Sequence, residues 1–360
     1  MNTGSVLNDV PLSNQFRGHF GHRRHLYGVL LDALANDLDA GGPTAEICVE
    51  HMRASRGDAI QLRLLAGIFR IVLRGEAPEL APYYATRAEA ADSNRAWALL
   101  RPVLARHVEE LQGALELAPQ TNEVGRSACL AVGLFEAVRR HELCKLRLLE
   151  PGASAGLNLN VDRYRMIGPG WGWGPVDSPL ILDTGAQRVL PEDITVLERR
   201  GCDLSPVDVS TQDGASYLTS FVWPFHPERH DRLAAAIEVA RRYPVKIDRA
   251  PASTWITEQL ARPVANDVLT VVWQSITEQY WPDSERGAVA AALDDARHRM
   301  PLAHVSMEGV PPSQGSDGYS IAELGPKTRV DGTLIARSHH HGLPLVLASS
   351  GNAGDLDRRD

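Results

Sequence analysis

The chain has 360 residues, 44% of them hydrophobic and 23% charged, with a formal net charge of −8 at pH 7. Such a composition is globular and long enough for one large domain or two smaller ones, and its acidic balance argues against a nucleic-acid partner, which calls for a basic face. Cys48, Cys129, Cys144 and Cys202 form no C-x-x-C pair and no stretch approaches the roughly eighteen apolar residues of a membrane span, so reduced thiols, no membrane partner, a cytoplasmic location and a small-molecule substrate are expected.

Residues 1–144 predict a helical N-terminal region. Apolar residues recur at helical spacing at Phe16, Phe20, Leu30, Leu31, Leu34 and Leu38, then at Leu62, Leu65, Phe69, Val72 and Leu73. Asp92 and Ser93 are candidate caps for a helix running to Leu115 and bent near Pro102. Thr121 or Asn122 opens another helix, carrying Leu130, Leu134 and Val138.

The pattern changes at Lys145. The run LRLLE (146–150) leads at once into Pro-Gly-Ala-Ser-Ala-Gly, which predicts strand, tight turn and helix. Further strands are predicted at 194–203, 245–249, 268–274 and 302–308, with helices from Arg229 to Arg242 and from Arg286 to Met300. Alternating strands and helices imply an α/β fold, a Rossmann-like, mostly parallel sheet covered on both faces, over residues 145–348. Gly332 to Ala336 and Leu343 to Leu347 have no helix between them and predict an antiparallel terminal hairpin. An insertion at about 162–191 predicts a flap or small hairpin, and residues 349–360 a flexible tail.

The most informative motif is Glu150-x-Gly152-x-Ser154-x-Gly156. Glycines let backbone pass close to a ligand, and a following helix would offer N–H groups and a positive dipole end. Asp203 and Asp248 fall at the tips of the next two strands, where open α/β sheets bind ligands. The same turn also satisfies G-x-S-x-G, the nucleophile elbow of serine hydrolases, with Ser154, then Asp248 or Asp267, then His341 in a permitted order. Helical sequence upstream and the lack of an HGGG-type segment speak against that rival.

Histidines at 19, 22 and 25, at 226 and 230, and at 339–341 invite a metal reading. No carboxylate completes a known signature, so surface or capping roles and no metal are expected. His341 stands apart as a candidate general base. Trp171 and Trp173 in the insertion either anchor their loop or close over a substrate by cation–π contact.

Glu150 to Gly156 followed by Asp203-Leu204-Ser205-Pro206 resembles the motifs of class I S-adenosylmethionine-dependent methyltransferases. Thr121 to Ser127, Leu149 to Asn158, Asp203 to Asp208, Val222-Trp223-Pro224 and His341-Gly342 resemble, across nearly the whole chain, a bacterial family known as domain of unknown function two-three-three-two. The methyltransferase resemblance implies S-adenosylmethionine as cofactor, held by the Glu150, Gly152, Ser154 and Gly156 turn. Glu150 would take the methionine ammonium, Asp203 the ribose hydroxyls and Asp248 the adenine amino group.

Asn122, Arg126, Trp171 and Trp173 are then the substrate-side candidates. Glu123, Tyr280 and His341 are the catalytic ones, with Glu308 as a further base. Two features depart from the pattern. Glu150 and Asp203 lie 53 positions apart, against about 20 in a simple βαβ unit. Trp273-Gln274-Ser275 also stands where amino-modifying enzymes carry an Asn or Asp with prolines. The expectation is a methyltransferase of unknown acceptor; the alternatives are a non-catalytic methyltransferase-like scaffold and a serine hydrolase using Ser154.

Overall fold

A computed structural model describes residues 10–19, 25–85, 93–309 and 320–348. Phe20, His22, Asp92 and the expected tail at 349–360 lie outside the described residues. Two compact units are present: the described residues up to Thr121 together with Gln212–His230, and Asn122–Thr211 together with the described residues from Asp231 on. Among the described residues no helix is long and apolar enough to cross a membrane. Cys48, Cys129 and Cys202 are buried free thiols and Cys144 an exposed one.

The first unit is helical. Leu30, Leu31 and Leu34 of the helix Leu26–Asp39 are buried with Leu64, Leu65 and Phe69 of Ile60–Leu73, the stripe that the 3.6-residue period predicts. Instead of one bent helix to Leu115 there are two, Ser93–Arg106 and Val108–Leu115, separated at His107, five residues after Pro102. The segment Gln212–His230 belongs to this unit, contributing a helix, Gln212–Ser220, and the rings of Trp223 and Phe225, which pack on the helical core. Nothing in its local sequence separates it from the sheet-forming segments on either side.

The described residues of the second unit form eleven strands: β1 Lys145–Pro151, β2 Arg165–Gly168, β3 Trp171–Trp173, β4 Ile181–Asp183, β5 Thr195–Asp203, β6 Lys246–Arg249, β7 Val268–Ser275, β8 Leu302–Glu308, β9 Lys327–Val330, β10 Thr333–Ser338 and β11 Leu345–Leu347. Eight form one sheet in the order β11-β10-β9-β8-β7-β1-β5-β6. The five from β6 to β8 are parallel and, numbered by appearance within this sheet, run 3-2-1-4-5. That is the doubly wound order, with its reversal between β1 and β7. β1 and β7 are buried along almost their whole length, as strands covered on both faces must be. The edge is an antiparallel meander, β8-β9-β10-β11, so the expected hairpin carries one additional strand.

The insertion forms its own small sheet, with β2 antiparallel to β3 and parallel to β4. The helix Ser127–His141, which the sequence grouped with the N-terminal helices, packs on β7, β8 and β9. A Cβ at Gly133 would overlap Val305 of β8, so glycine there sets the close approach.

Candidate functional site

Ligands of open α/β sheets bind beyond the carboxyl ends of the strands, at the point where the strand order reverses. Here that point lies between Glu150 at the end of β1 and Gln274 near the end of β7, with Asp203, Asp248 and Glu308 closing β5, β6 and β8.

The turn after β1 is tight because three residues adopt positive φ: Gly152 (74°), Ser154 (55°) and Gly156 (71°). A Cβ at Gly152 would overlap the Thr277 hydroxyl, and one at Gly156 would lie 2.6 Å from Ile247 Cδ1. Both glycines therefore make room for neighbouring protein. The N–H groups are engaged internally: Ala153 donates to Cys202 O (2.9 Å), Gly156 to Ala153 O (2.7 Å), Ser154 to Asp203 Oδ2 (2.9 Å) and Leu157 to Asn122 Oδ1 (3.0 Å).

The helix expected next is a seven-residue 3-10 segment, Leu157–Arg163, kinked at Asn160. The helix-dipole expectation is corrected accordingly. Side chains compete for this backbone: Asn122 holds Leu157 N, and Arg199 reaches Leu159 O, Asn160 Oδ1 and Asp162.

Glu150 is 2% exposed, and its Oε2 has no hydrogen-bond partner. Burial raises its pKa well above the ordinary carboxyl value, with a smaller contribution from the Asp203 charge, against hydrogen bonding from Asn158 and Trp273 and the charge of Arg126. The buried Ser154 Oγ likewise has no partner. Asp203 accepts from Ser154 N and from Ser205 N (2.8 Å). Asp248 is engaged within the sheet, by Arg200 (2.6 Å), Trp255 Nε1 (2.8 Å) and Lys246 (3.3 Å). A cleft of about 230 Å³ opens beside this turn, lined in part by Ala155, Pro206, Val207 and Asp208.

A second group surrounds Gln274, which is 1% exposed. Its amide donates to Glu278 Oε1 (2.8 Å) and Glu308 Oε1 (3.4 Å), and its Oε1 lies 3.1 Å from His304 Nε2. Glu308 also accepts from Thr277 N (3.1 Å) and Glu278 N (3.4 Å). Burial, opposed by the Thr277 bond and aided by the Glu278 charge, raises its pKa to about 7. Glu278, Arg286 and Glu308 line a cleft of about 240 Å³. The sequence motif that carries Gln274 read only as a departure; a buried amide between two carboxylates is visible only once β7 and β8 are paired.

A third group joins distant residues. Glu123, 6% exposed, lies 3.1 Å from His341 Nδ1. A Cβ at Gly125 would overlap His341 O, and one at Gly342 (φ 87°) would overlap the Gly125 carbonyl. These two glycines let the backbones touch, and so set acid beside imidazole. Arg126 spans His340 O (3.1 Å) and Ser275 O (3.4 Å).

The remaining candidates fall elsewhere. Tyr280 is 70% exposed. Trp171 Nε1 donates to Ala186 O (2.8 Å) and Trp173 Nε1 to Glu192 O (3.0 Å), with Trp173 edge-on to Phe135. Both indoles thus anchor the insertion.

A family model described as "Uncharacterized protein conserved in bacteria (DUF2332)" matches residues 14–346. No curated protein and no solved structure matches the chain. Covering nearly the whole length, including the Glu150 turn and the Glu123–His341 pair, that match shows that the chain belongs to this bacterial family.

Proposed function

We propose that the chain is an S-adenosylmethionine-dependent methyltransferase whose cofactor lies across the carboxyl ends of β1 and β5. The observation that carries this reading is the Glu150 carboxyl, buried at the strand-order reversal with Oε2 unpartnered. Unpaired burial of a carboxyl is costly, and a cationic ligand group such as the cofactor's α-ammonium would compensate it. Asp203 supports the same reading. Its oxygens accept the N–H groups of Ser154 and Ser205 beside the turn, which holds a carboxylate at the end of β5, where ribose hydroxyls would be bound. Asp248, engaged by Arg200, Lys246 and Trp255, has no part in this reading.

Bound there, the cofactor supplies an electrophilic methyl group. The protein's own contribution is to position the acceptor and take its proton. Glu308 suits proton transfer, because a pKa of about 7 matches the operating pH of a general base and its cleft opens beyond the carboxyl ends of β7 and β8.

Calorimetric titration with S-adenosylmethionine and S-adenosylhomocysteine tests this. Expected is micromolar affinity, about −8 kcal/mol, weakened at least about a hundredfold in Glu150→Gln and Asp203→Asn, with both variants folded by circular dichroism. No heat with the wild type, together with an unchanged melting temperature, would overturn the reading in favour of a non-catalytic scaffold.

Ser154, with φ 55° and a buried, unpartnered hydroxyl, favours a hydrolase as the second reading. A nucleophilic serine needs a hydrogen-bonded base, and its Oγ has none. Labelling by a fluorophosphonate probe, abolished in Ser154→Ala, would reverse the ranking.

A further inference from the structure

The turn between β10 and β11 reads His339-His340-His341-Gly342-Leu343-Pro344. It is tied down on several sides. Gly342 N donates to His339 O (2.7 Å), His339 N to Pro344 O (3.3 Å), and Arg126 Nε to His340 O (3.1 Å). Gly342 packs against Gly125, and the Cys129 thiol lies 3.7 Å from Gly342 O.

On this fixed backbone the three imidazoles cluster. Ring centroids are 3.9 Å apart for His339 and His340, 4.0 Å for His340 and His341, and 5.1 Å for His339 and His341. One ring nitrogen from each lies within 4.8 Å of the other two. All three side chains are part-exposed, so an ion can reach them from solvent. Zinc–imidazole bonds are about 2.0–2.1 Å long, so the rings must rotate to bring three such nitrogens onto one ion.

The second observation is the carboxylate behind the cluster. Metal-binding histidines commonly donate their other ring N–H to a carboxylate, which fixes the tautomer and raises ligand basicity. Glu123, 6% exposed, has its Oε2 3.1 Å from His341 Nδ1, the side on which such a carboxylate stands when Nε2 is the ligand. His339 Nδ1 accepts from His341 N at 3.3 Å, a long contact that an ion at His339 would displace if it bound through Nδ1.

The contrast with Glu76, His107 and Glu110, which also lie close together, is instructive. There Arg74 already pairs with both carboxylates, so an ion would have to compete with a guanidinium for them. The histidine turn has imidazole nitrogen donors, which suit zinc, nickel or copper.

We propose that His339, His340 and His341, oriented by Glu123, bind one zinc ion through three imidazoles, with a remaining position open to water or another ligand. This site is independent of the cofactor reading, which uses Glu150 and Asp203.

The test uses the full chain without an affinity tag, stripped with chelator and dialysed. Zn²⁺ is titrated calorimetrically, and Co²⁺ serves as a visible-absorption probe of nitrogen ligation. Expected is one ion per chain at micromolar Kd or below. His340→Ala should weaken binding at least a hundredfold, and Glu123→Gln tenfold to a hundredfold. Melting curves without metal establish that each variant folds, with His339→Gln as the replacement should His340→Ala fail. Equal affinity of wild type and folded ligand variant would place the ion elsewhere and overturn the proposal. So would the absence of saturable wild-type binding below about 100 µM Zn²⁺, about −5.5 kcal/mol.

Discussion

At the residue scale, a buried acid with one oxygen unpartnered has an energetic signature that a merely structural residue lacks. Glu150 has its pKa raised in the folded chain, so the folded state holds the proton more tightly than the unfolded one. Stability is then fully present below the ordinary carboxyl value of 4.5 and is lost as pH rises toward the folded value. Replacing it with neutral Gln removes that loss. Glu150→Gln should therefore raise stability at pH 7.5 by on the order of 1–3 kcal/mol in urea titration, while losing ligand affinity. A variant less stable than wild type at that pH would mean that the carboxylate is compensated by a partner.

The sequence exposed Glu150 and Asp203 as candidates because both close apolar strands. It did not expose Asp248 as an internal ion-pair residue, because Arg200 and Trp255 come beside it only through the β5–β6 pairing and the following helix.

At the element scale, close approach decides what propensity alone would misjudge. In the helix Ser127–His141, alanine is the better helix former by about 1 kcal/mol, yet a Cβ at Gly133 would overlap Val305 of β8. Gly133→Ala should therefore lower the midpoint of urea unfolding, at a cost of about 1–3 kcal/mol. An unchanged or raised midpoint would show that helix and sheet can move apart freely. Gly342→Ala belongs to the same class: φ is 87° and the added Cβ would overlap the Gly125 carbonyl. It should abolish the Glu123–His341 contact, visible as an upfield or downfield shift of the His341 ring signals by NMR.

Seven of the sheet strands were legible because their apolar runs are bounded by turns or helices. β9 was not, because Lys327-Thr328-Arg329-Val330 has two charges in four residues. It is a strand only because β8 and β10 offer it hydrogen-bonding edges on both sides. The 3-10 segment after the glycine turn was misread as a helix for the opposite reason, since Asn122 and Arg199 draw its backbone groups away.

At the scale of the whole molecule, titration of buried groups in the sheet unit sets the pH profile. Burial, with a smaller contribution from Arg297, lowers the pKa of His304 from 6.5 to about 4, while burial raises Glu308 from 4.5 to about 7. The signs oppose. Between pH 4 and 6.5 the unfolded chain holds the His304 proton more tightly, so stability increases with pH. Between 4.5 and 7 the folded chain holds the Glu308 proton more tightly, so stability decreases with pH. In the Glu150→Gln protein the melting temperature should therefore vary little from these two groups between pH 4.5 and 6.5. Glu150 adds a third, falling contribution, so the comparison is made in the Glu150→Gln background: there Glu308→Gln should leave a rising curve and His304→Gln a falling one, and parallel curves for all three proteins would refute the assignment.

The sequence by itself determined the α/β class, the positions of the parallel strands and the glycine turn, because hydrophobic periodicity and backbone conformational freedom are local properties. It also determined membership in the family, through motifs spread over residues 14–346. Only the tertiary structure decided the 3-2-1-4-5 strand order, the grouping of Gln212–His230 with the helical unit, and the meeting of Glu123 with His341 across more than two hundred residues. Those depend on which surfaces bury one another and which backbones can touch, and no local pattern records that pairing.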